Sequence, residues 1–125
     1  MGVLEIGQTM VKAVNGGRES EWQFVMDHYA DDIVSIEGAD GGDMPARMEG
    51  MDAIKGKHEW WYANNDVHGT TVEGPYIGLR DDQFILRFTM EMTPNGGERT
   101  QMVETAIFTV RDDKIAQEEY FYLMG

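Results

Sequence analysis

The hydrophobic pattern of this chain differs between its two halves, and that difference limits the folds it can adopt. In the first half, within 3–29 and again within 52–64, apolar residues recur every three or four positions, as in amphipathic helices. Four later segments, 67–79, 84–93, 99–110 and 115–123, are β-type runs separated by turn residues. Helices followed by consecutive strands predict an α+β domain with an antiparallel sheet, not alternating βαβ units.

Three helices are predicted in the first half of the chain. The apolar stripes of the first two are Val3, Ile6, Met10 and Val14, and then Trp22, Val25, Met26 and Tyr29. A short strand is expected at 33–37, and a Gly- and Asp-rich loop at 38–50. The third helix is expected from about Asp52 to Asn64.

Size, charge and cysteine content narrow the class of protein. A length of 125 residues with 42% hydrophobic content fits a single domain, 1–125. The formal net charge of -13 repels phosphate backbones and anionic lipids, so neither nucleic acid nor membrane is expected as a partner. The absence of cysteine fits a reducing compartment, and we predict a cytoplasmic protein. The histidine spacing predicts no metal site.

Alternation within the strands predicts which side chains face the interior. The two inward rows are Phe84, Leu86, Phe88, Met90 and Met92, and then Met102, Ala106, Phe108 and Val110. Glu104 interrupts the second row, so its carboxylate must be paired, shifted in pKa or directed into a cavity. Two alternatives remain: a bulge that turns Glu104 outward, or an ion pair with Arg87 or Arg99.

The run Tyr29-Ala30-Asp31-Asp32, followed by the strand 33–37, resembles the ketosteroid isomerase family and its SnoaL-like polyketide cyclase and nuclear-transport-factor-like relatives. The order of elements, the helix start Gly50-x-x-Ala53-Ile54 and the turn Asp113-Lys114-Ile115 are also similar. The resemblance implies a curved antiparallel sheet wrapped by three helices into a cone with an internal pocket. It also implies a homodimer formed through the outer sheet face.

The resemblance further suggests roles for particular side chains. Glu37 matches the general base of the isomerases, and Tyr29 matches a hydrogen-bond donor in the pocket. Met10 and Ala106 stand where the isomerases carry their oxyanion donors, which argues against the isomerase reaction itself. If Val34 and Ile36 formed the core face instead, Glu37 would point to solvent.

For the last strand, the sequence pattern does not decide which face points inward. Hydrophobicity favours the face with Phe121 and Leu123, whereas the register implied by the resemblance turns Glu118 inward, and we adopt the latter. The predicted catalytic residues are therefore Glu37, Glu104 and Glu118. The predicted pocket residues are Tyr29, Trp22, His58, Trp61, Phe88, Met90, Met102, Phe108, Tyr120 and Tyr122.

These observations predict a protein that binds a small molecule and has no cofactor. Its activity would be that of an acid–base isomerase, cyclase or dehydratase acting on a small apolar or polyketide-like substrate. The resemblance also extends to limonene epoxide hydrolase, which needs an arginine between two aspartates. Arg87 could supply the arginine, but the matching strands offer no obvious pair of aspartates. The alternative is a catalytically silent module that binds a ligand or provides a homodimeric scaffold.

Overall fold

A computed structural model describes residues 1–39 and 44–123, and in this part of the chain it contains three helices and six strands. The helices are α1 (Val3–Asn15), α2 (Arg18–His28) and α3 (Met51–Asn64). The strands are β1 (Tyr29–Ile36), β2 (Arg47–Glu49), β3 (Asn65–Tyr76), β4 (Gln83–Pro94), β5 (Thr100–Arg111) and β6 (Lys114–Tyr122). The predicted α+β class, with helices before a run of strands, is confirmed.

The six strands form one curved sheet in the order β2-β1-β6-β5-β4-β3. Strands β3 to β6 make the predicted antiparallel meander, and β2 pairs antiparallel to β1. Strand β1, however, pairs parallel to β6, with Ser35 opposite Glu118, so the sheet is mixed and not wholly antiparallel. Side-chain alternation within a strand carries no information about the direction of a neighbour remote in sequence, so the pattern missed this pair.

Several predicted boundaries differ from the structure, and the β-type run predicted over 67–79 is the strand Asn65–Tyr76. Tyr29, assigned to the second helical stripe, is the first residue of β1. The predicted loop 38–50 contains the short strand β2, and its residues 40–43 lie outside the described part of the chain. The predicted turn at Asp112 and Asp113 is confirmed, and both residues have positive φ, as in the tight two-residue hairpins that match strand twist.

Helix α1 covers one end of the concave sheet face, where it packs on β3 and β4. Its buried side chains Ile6, Met10 and Val14 belong to the same core cluster as Phe84 and Leu86. The helix approaches closely at Gly7, where a Cβ would lie 2.8 Å from the Cβ of Pro75 and 3.2 Å from a Phe84 ring atom. This end of the cone is therefore closed by packed apolar side chains.

Replacement of Gly7 by alanine is expected to lower the free energy of unfolding, although alanine favours helices. The rigid Pro75 ring and a core phenylalanine leave no room for a methyl group, and overpacking of this kind costs about 1–3 kcal/mol. Gly56→Ala is the matched control, because Gly56 lies within α3 with nothing within 4 Å of the added methyl. It should gain about 0.5–1 kcal/mol. Urea unfolding of both variants measures the difference, and equal gains would contradict this packing.

Candidate active site

A cavity of about 240 Å³ lies between the concave sheet face and the helices α2 and α3. All of the predicted site residues except Phe108 line it: Glu37, Glu104, Glu118, Tyr29, Trp22, His58, Trp61, Phe88, Met90, Met102, Tyr120 and Tyr122. Sequence positions from 22 to 122 thus converge on one chamber, whose walls are mostly aromatic rings and methionines with several carboxylates among them.

Phe108 was predicted to line the pocket, and this prediction is wrong. Its side chain faces inward, but it is fully buried in the core, where its ring stacks on Phe84 with centroids 5.0 Å apart. Phe88 and Tyr120, which do line the cavity, lie next to it with ring centroids 6.5 Å away. Phe108 therefore forms part of the packed layer beneath the cavity floor.

The carboxylate of Glu118 is fixed by two tyrosines. Glu118 is only 3% exposed, and its Oε2 accepts hydrogen bonds from Tyr29 Oη at 3.0 Å and from Tyr120 Oη at 2.5 Å. Burial, and then the neighbouring Glu118 charge, raises the pKa of both phenols well above the usual range. Both tyrosines therefore keep their protons and act as donors to Glu118.

Glu37 is held by an ammonium group and a phenol. The strand β1 directs Ile33 and Ser35 into the interior, and Glu37 continues this inward row just beyond the strand end. Its Oε1 is ion-paired with Lys57 Nζ, and its Oε2 accepts a hydrogen bond from Tyr122. Lys57 also donates to Ser35 Oγ at 2.7 Å.

Glu104 is a buried carboxylate whose side chain makes no hydrogen bond or ion pair in the described chain. It is 9% exposed and lies in the sheet between its register partners Phe88 on β4 and Tyr122 on β6. No residue in the described ranges 1–39 and 44–123 forms a hydrogen bond or ion pair with its side chain. Burial raises its pKa to about 8, the charge of Glu37 adds to this, and Lys57 opposes it.

The alternative assignments for Glu104 and Arg87 do not match the structure. Arg87 lies away from the cavity and pairs with Glu73 at 3.1 Å, and Arg99 pairs with Glu91 at 3.6 Å. Neither arginine is therefore the partner of Glu104. An epoxide hydrolase arrangement built on Arg87 is excluded for the same reason.

Glu21 and Lys57 line the cavity and were missed by the sequence analysis. Burial raises the pKa of Glu21 to about 7; the charge of Glu118 adds to this, and Arg18 opposes it. A signal was present, since Glu21 stands four residues before Val25 on α2, and Lys57 stands three residues after Ile54 on α3. Both spacings place the charged side chain on the same helix face as a buried one.

The aromatic wall on the helix side is built around His58. Its ring stacks on Trp22 with centroids 4.5 Å apart and lies 4.9 Å from the ring of Tyr62. Burial, and then the charge of Arg18, lowers the pKa of His58, so the imidazole is neutral at physiological pH. His58 thus contributes to the wall of the chamber as a flat aromatic surface without charge.

The residues described, 1–39 and 44–123, were searched for metal-binding clusters and membrane-spanning helices. They contain no group of three or more His, Cys, Asp or Glu side chains placed to hold a metal ion. None of the helices described is long and apolar enough to cross a bilayer.

Comparison with known proteins places the chain in a family. The family model described as a SnoaL-like domain matches residues 5–122. This chain belongs to the SnoaL-like family. Its resemblance to that group is therefore confirmed, and the fold of this SnoaL-like domain agrees with solved structures.

Three solved structures illustrate the similarity. A candidate SnoaL-like polyketide cyclase of Mesorhizobium loti, whose description also reads carbohydrate phosphatase, is 36% identical, covers 98% of this chain and 100% of its own, and has a TM-score of 0.87. An NTF2-like protein of Exiguobacterium is 16% identical, with coverages of 94% and 98% and a TM-score of 0.73. A Xanthomonas campestris protein with a cystatin-like fold is 14% identical, with coverages of 99% and 92% and a TM-score of 0.74. Comparison with curated proteins finds no significant match.

Proposed function

We propose that this SnoaL-like domain is a cofactor-independent acid–base enzyme of isomerase, cyclase or lyase type that acts on a small, largely apolar substrate. The observation that carries the proposal is Glu104, a buried carboxylate without a polar partner in the described chain, which lines an aromatic cavity. We assign Glu104 as the general base. The similarity to the Mesorhizobium loti protein described as a candidate polyketide cyclase supports a cyclase-type substrate.

The three carboxylates predicted as catalytic differ in how free their oxygens are. Glu118 accepts two phenol hydrogen bonds, and Glu37 accepts one and is also ion-paired, so the oxygens of both already have partners. Glu104 has its lone pairs available, and its pKa of about 8 lies close to neutral pH. A base with a pKa near the working pH combines adequate ionisation with a strong driving force for proton abstraction.

The other polar groups support the developing charge. Removal of a proton next to a carbonyl places negative charge on the carbonyl oxygen, and that charge needs a fixed positive group nearby. Lys57 supplies it, because Glu37 and Ser35 hold its ammonium at the cavity wall, 4.9 Å from the centroid of the Tyr120 ring. We expect Lys57 to stabilise the oxyanion while Glu104 abstracts the proton.

The proposal is tested by proton exchange, which does not require the natural substrate. We expect the protein to accelerate deuterium incorporation at the α-carbons of 2-tetralone, a small apolar ketone, as followed by NMR in deuterated buffer. The rate requires ionised Glu104, whose pKa is raised to about 8. It should therefore rise about tenfold per pH unit up to that pKa and level off above it.

Two results would contradict this function. An exchange rate equal to that of protein-free buffer, with 2-tetralone bound as seen by tryptophan fluorescence, would favour a silent ligand-binding module. A rate that falls as the pH rises would show that a protonated group is required, and Glu104 would then not be the base.

A further inference from the structure

The charges that line the cavity are unbalanced. Four glutamates face it, Glu21, Glu37, Glu104 and Glu118, whereas the described lining residues include one lysine and no arginine. The ion pair between Lys57 and Glu37 balances those two charges and leaves three glutamates without a matching cation among the described lining residues. Glu118 accepts hydrogen bonds from two neutral phenols, and neither Glu21 nor Glu104 has a side-chain hydrogen bond or ion pair in the described chain. Of these two, Glu104 is the more buried.

The position of Glu104 is a second, independent indication that the negative charge of the cavity lacks a positive partner. Its side chain lies at the cavity with only 9% of its surface exposed, so water does not solvate it as it would a surface carboxylate. A buried carboxylate without a partner is costly unless it holds a proton or meets a cation. The position, and not the acidic composition alone, therefore identifies a carboxylate that can take either a proton or the positive charge of a ligand.

The walls of the cavity suit an organic cation better than a metal ion. Trp22, Trp60, Trp61 and Phe88 line the cavity, and aromatic faces attract ammonium groups while contacting apolar bodies. The protein already uses rings in this way. Lys57 Nζ lies 4.9 Å from the centroid of the Tyr120 ring.

We propose that the substrate of this site is a small organic cation, a protonated amine or quaternary ammonium group on an apolar body, whose charge is accepted by Glu104. This inference rests on the proposed function, because it names the substrate class of the same chamber. It also narrows that function, because the cationic group would bring the apolar body of the substrate next to Glu104.

Binding of such a cation is coupled to proton release. The charged and titratable groups that face Glu104 from the surrounding elements are Glu21, Glu37, Lys57, Glu118, Tyr120 and Tyr122. The pKa of Glu104 is raised to about 8, and that of Glu21 to about 7. Below these values the carboxyls hold protons that the cation must displace. The affinity should therefore rise with pH up to about 8 and then level off.

The test compares three probes of similar size by isothermal titration calorimetry: phenyltrimethylammonium, its uncharged isostere tert-butylbenzene, and the anion benzenesulfonate. At pH 8 we expect phenyltrimethylammonium to bind about tenfold more tightly than tert-butylbenzene, and benzenesulfonate not to bind. From pH 6 to pH 8 the affinity for the cation should rise at least about tenfold. Titrations in buffers with different ionisation enthalpies should show proton release.

Single substitutions identify the side chain that causes the preference for the cation and its pH dependence. Glu104→Gln should remove most of the preference for the cation and most of its pH dependence. Glu91→Gln should leave both unchanged, because Glu91 lies away from the cavity and contacts Gln101 and Arg99. Equal affinities of wild-type protein for the cation and its isostere at every pH would overturn the proposal without reference to any variant.

The cation-binding test and the 2-tetralone exchange test can fail independently of each other. Cation preference without exchange of 2-tetralone would remove the assigned catalysis and leave the binding proposal intact. Exchange of 2-tetralone without cation preference would remove the present inference and leave the catalysis.

Discussion

Replacement of Glu104 by glutamine is expected to lower the rate of α-proton exchange by about 10²- to 10⁴-fold, the usual contribution of a general base. Glutamine has nearly the same shape as glutamate but accepts no proton at neutral pH. The dependence of the rate on a pKa of about 8 should disappear with the carboxylate. A rate–pH profile of the variant measures both effects.

The same variant should change how stability depends on pH. Burial raises the pKa of Glu104 in the folded protein to about 8, above its value in the unfolded chain. Its contribution to stability is therefore fully present below the unfolded pKa and is lost as the pH rises to about 8. The variant lacks this loss. The difference in unfolding free energy, variant minus wild type, should thus increase between pH 5 and pH 9, as measured by urea unfolding.

Glu91→Gln is the control for both measurements. Glu91 precedes Met92 on β4 and directs its side chain away from the cavity, where it accepts a hydrogen bond from Gln101 at 3.1 Å. Its replacement should leave the rate profile unchanged and alter stability by no more than about 0.5 kcal/mol. Full activity in Glu104→Gln, with loss of activity in a Glu37 variant instead, would transfer the role of base to Glu37.

The meander was predictable because β4 and β5 each have one face in the protein interior. On β4 the alternating residues Phe84, Leu86, Phe88, Met90 and Met92 are all buried, as the sequence pattern indicated. The same logic singled out Glu104, since a charge within an apolar row requires a structural reason. The parallel pairing of β1 and β6 was beyond such reasoning, because it joins segments separated by most of the chain.

The inward face of β6 shows why hydrophobicity alone is a poor guide to a polar chamber. Phe121 and Leu123 made the outer face look like the interior, yet they are 47% and 75% exposed. Glu118, on the opposite face, is 3% exposed, because two phenols satisfy its carboxylate inside the cone. The inner surface of a ligand cavity needs polar groups, so the less apolar face can be the internal one.

Contacts between helix and sheet could not be derived from the pattern. Lys57 reaches Glu37 because α3 packs on β1, and sequence spacing does not specify such a tertiary contact. Phe108 shows the complementary limit. Alternation gave its face correctly, but not its depth, and the depth decides whether a ring lines a cavity or supports it from below.

That depth predicts a large loss of stability when the Phe108 side chain is truncated. Its ring is fully buried, stacks on Phe84 and meets Tyr120 edge to face, so Phe108→Ala leaves a void beneath the cavity floor. We expect urea unfolding to show a loss of about 3–5 kcal/mol.

Tyr76→Ala provides the comparison, because the Tyr76 ring is half exposed at the end of β3, and its removal should cost no more than about 1 kcal/mol. Similar losses in the two variants would mean that Phe108 does not belong to the core. The structure indicates that the Phe108 ring supports the cavity floor from below. Phe108→Ala should therefore also weaken the binding of 2-tetralone, because the cavity-lining ring of Phe88 loses one of its neighbours.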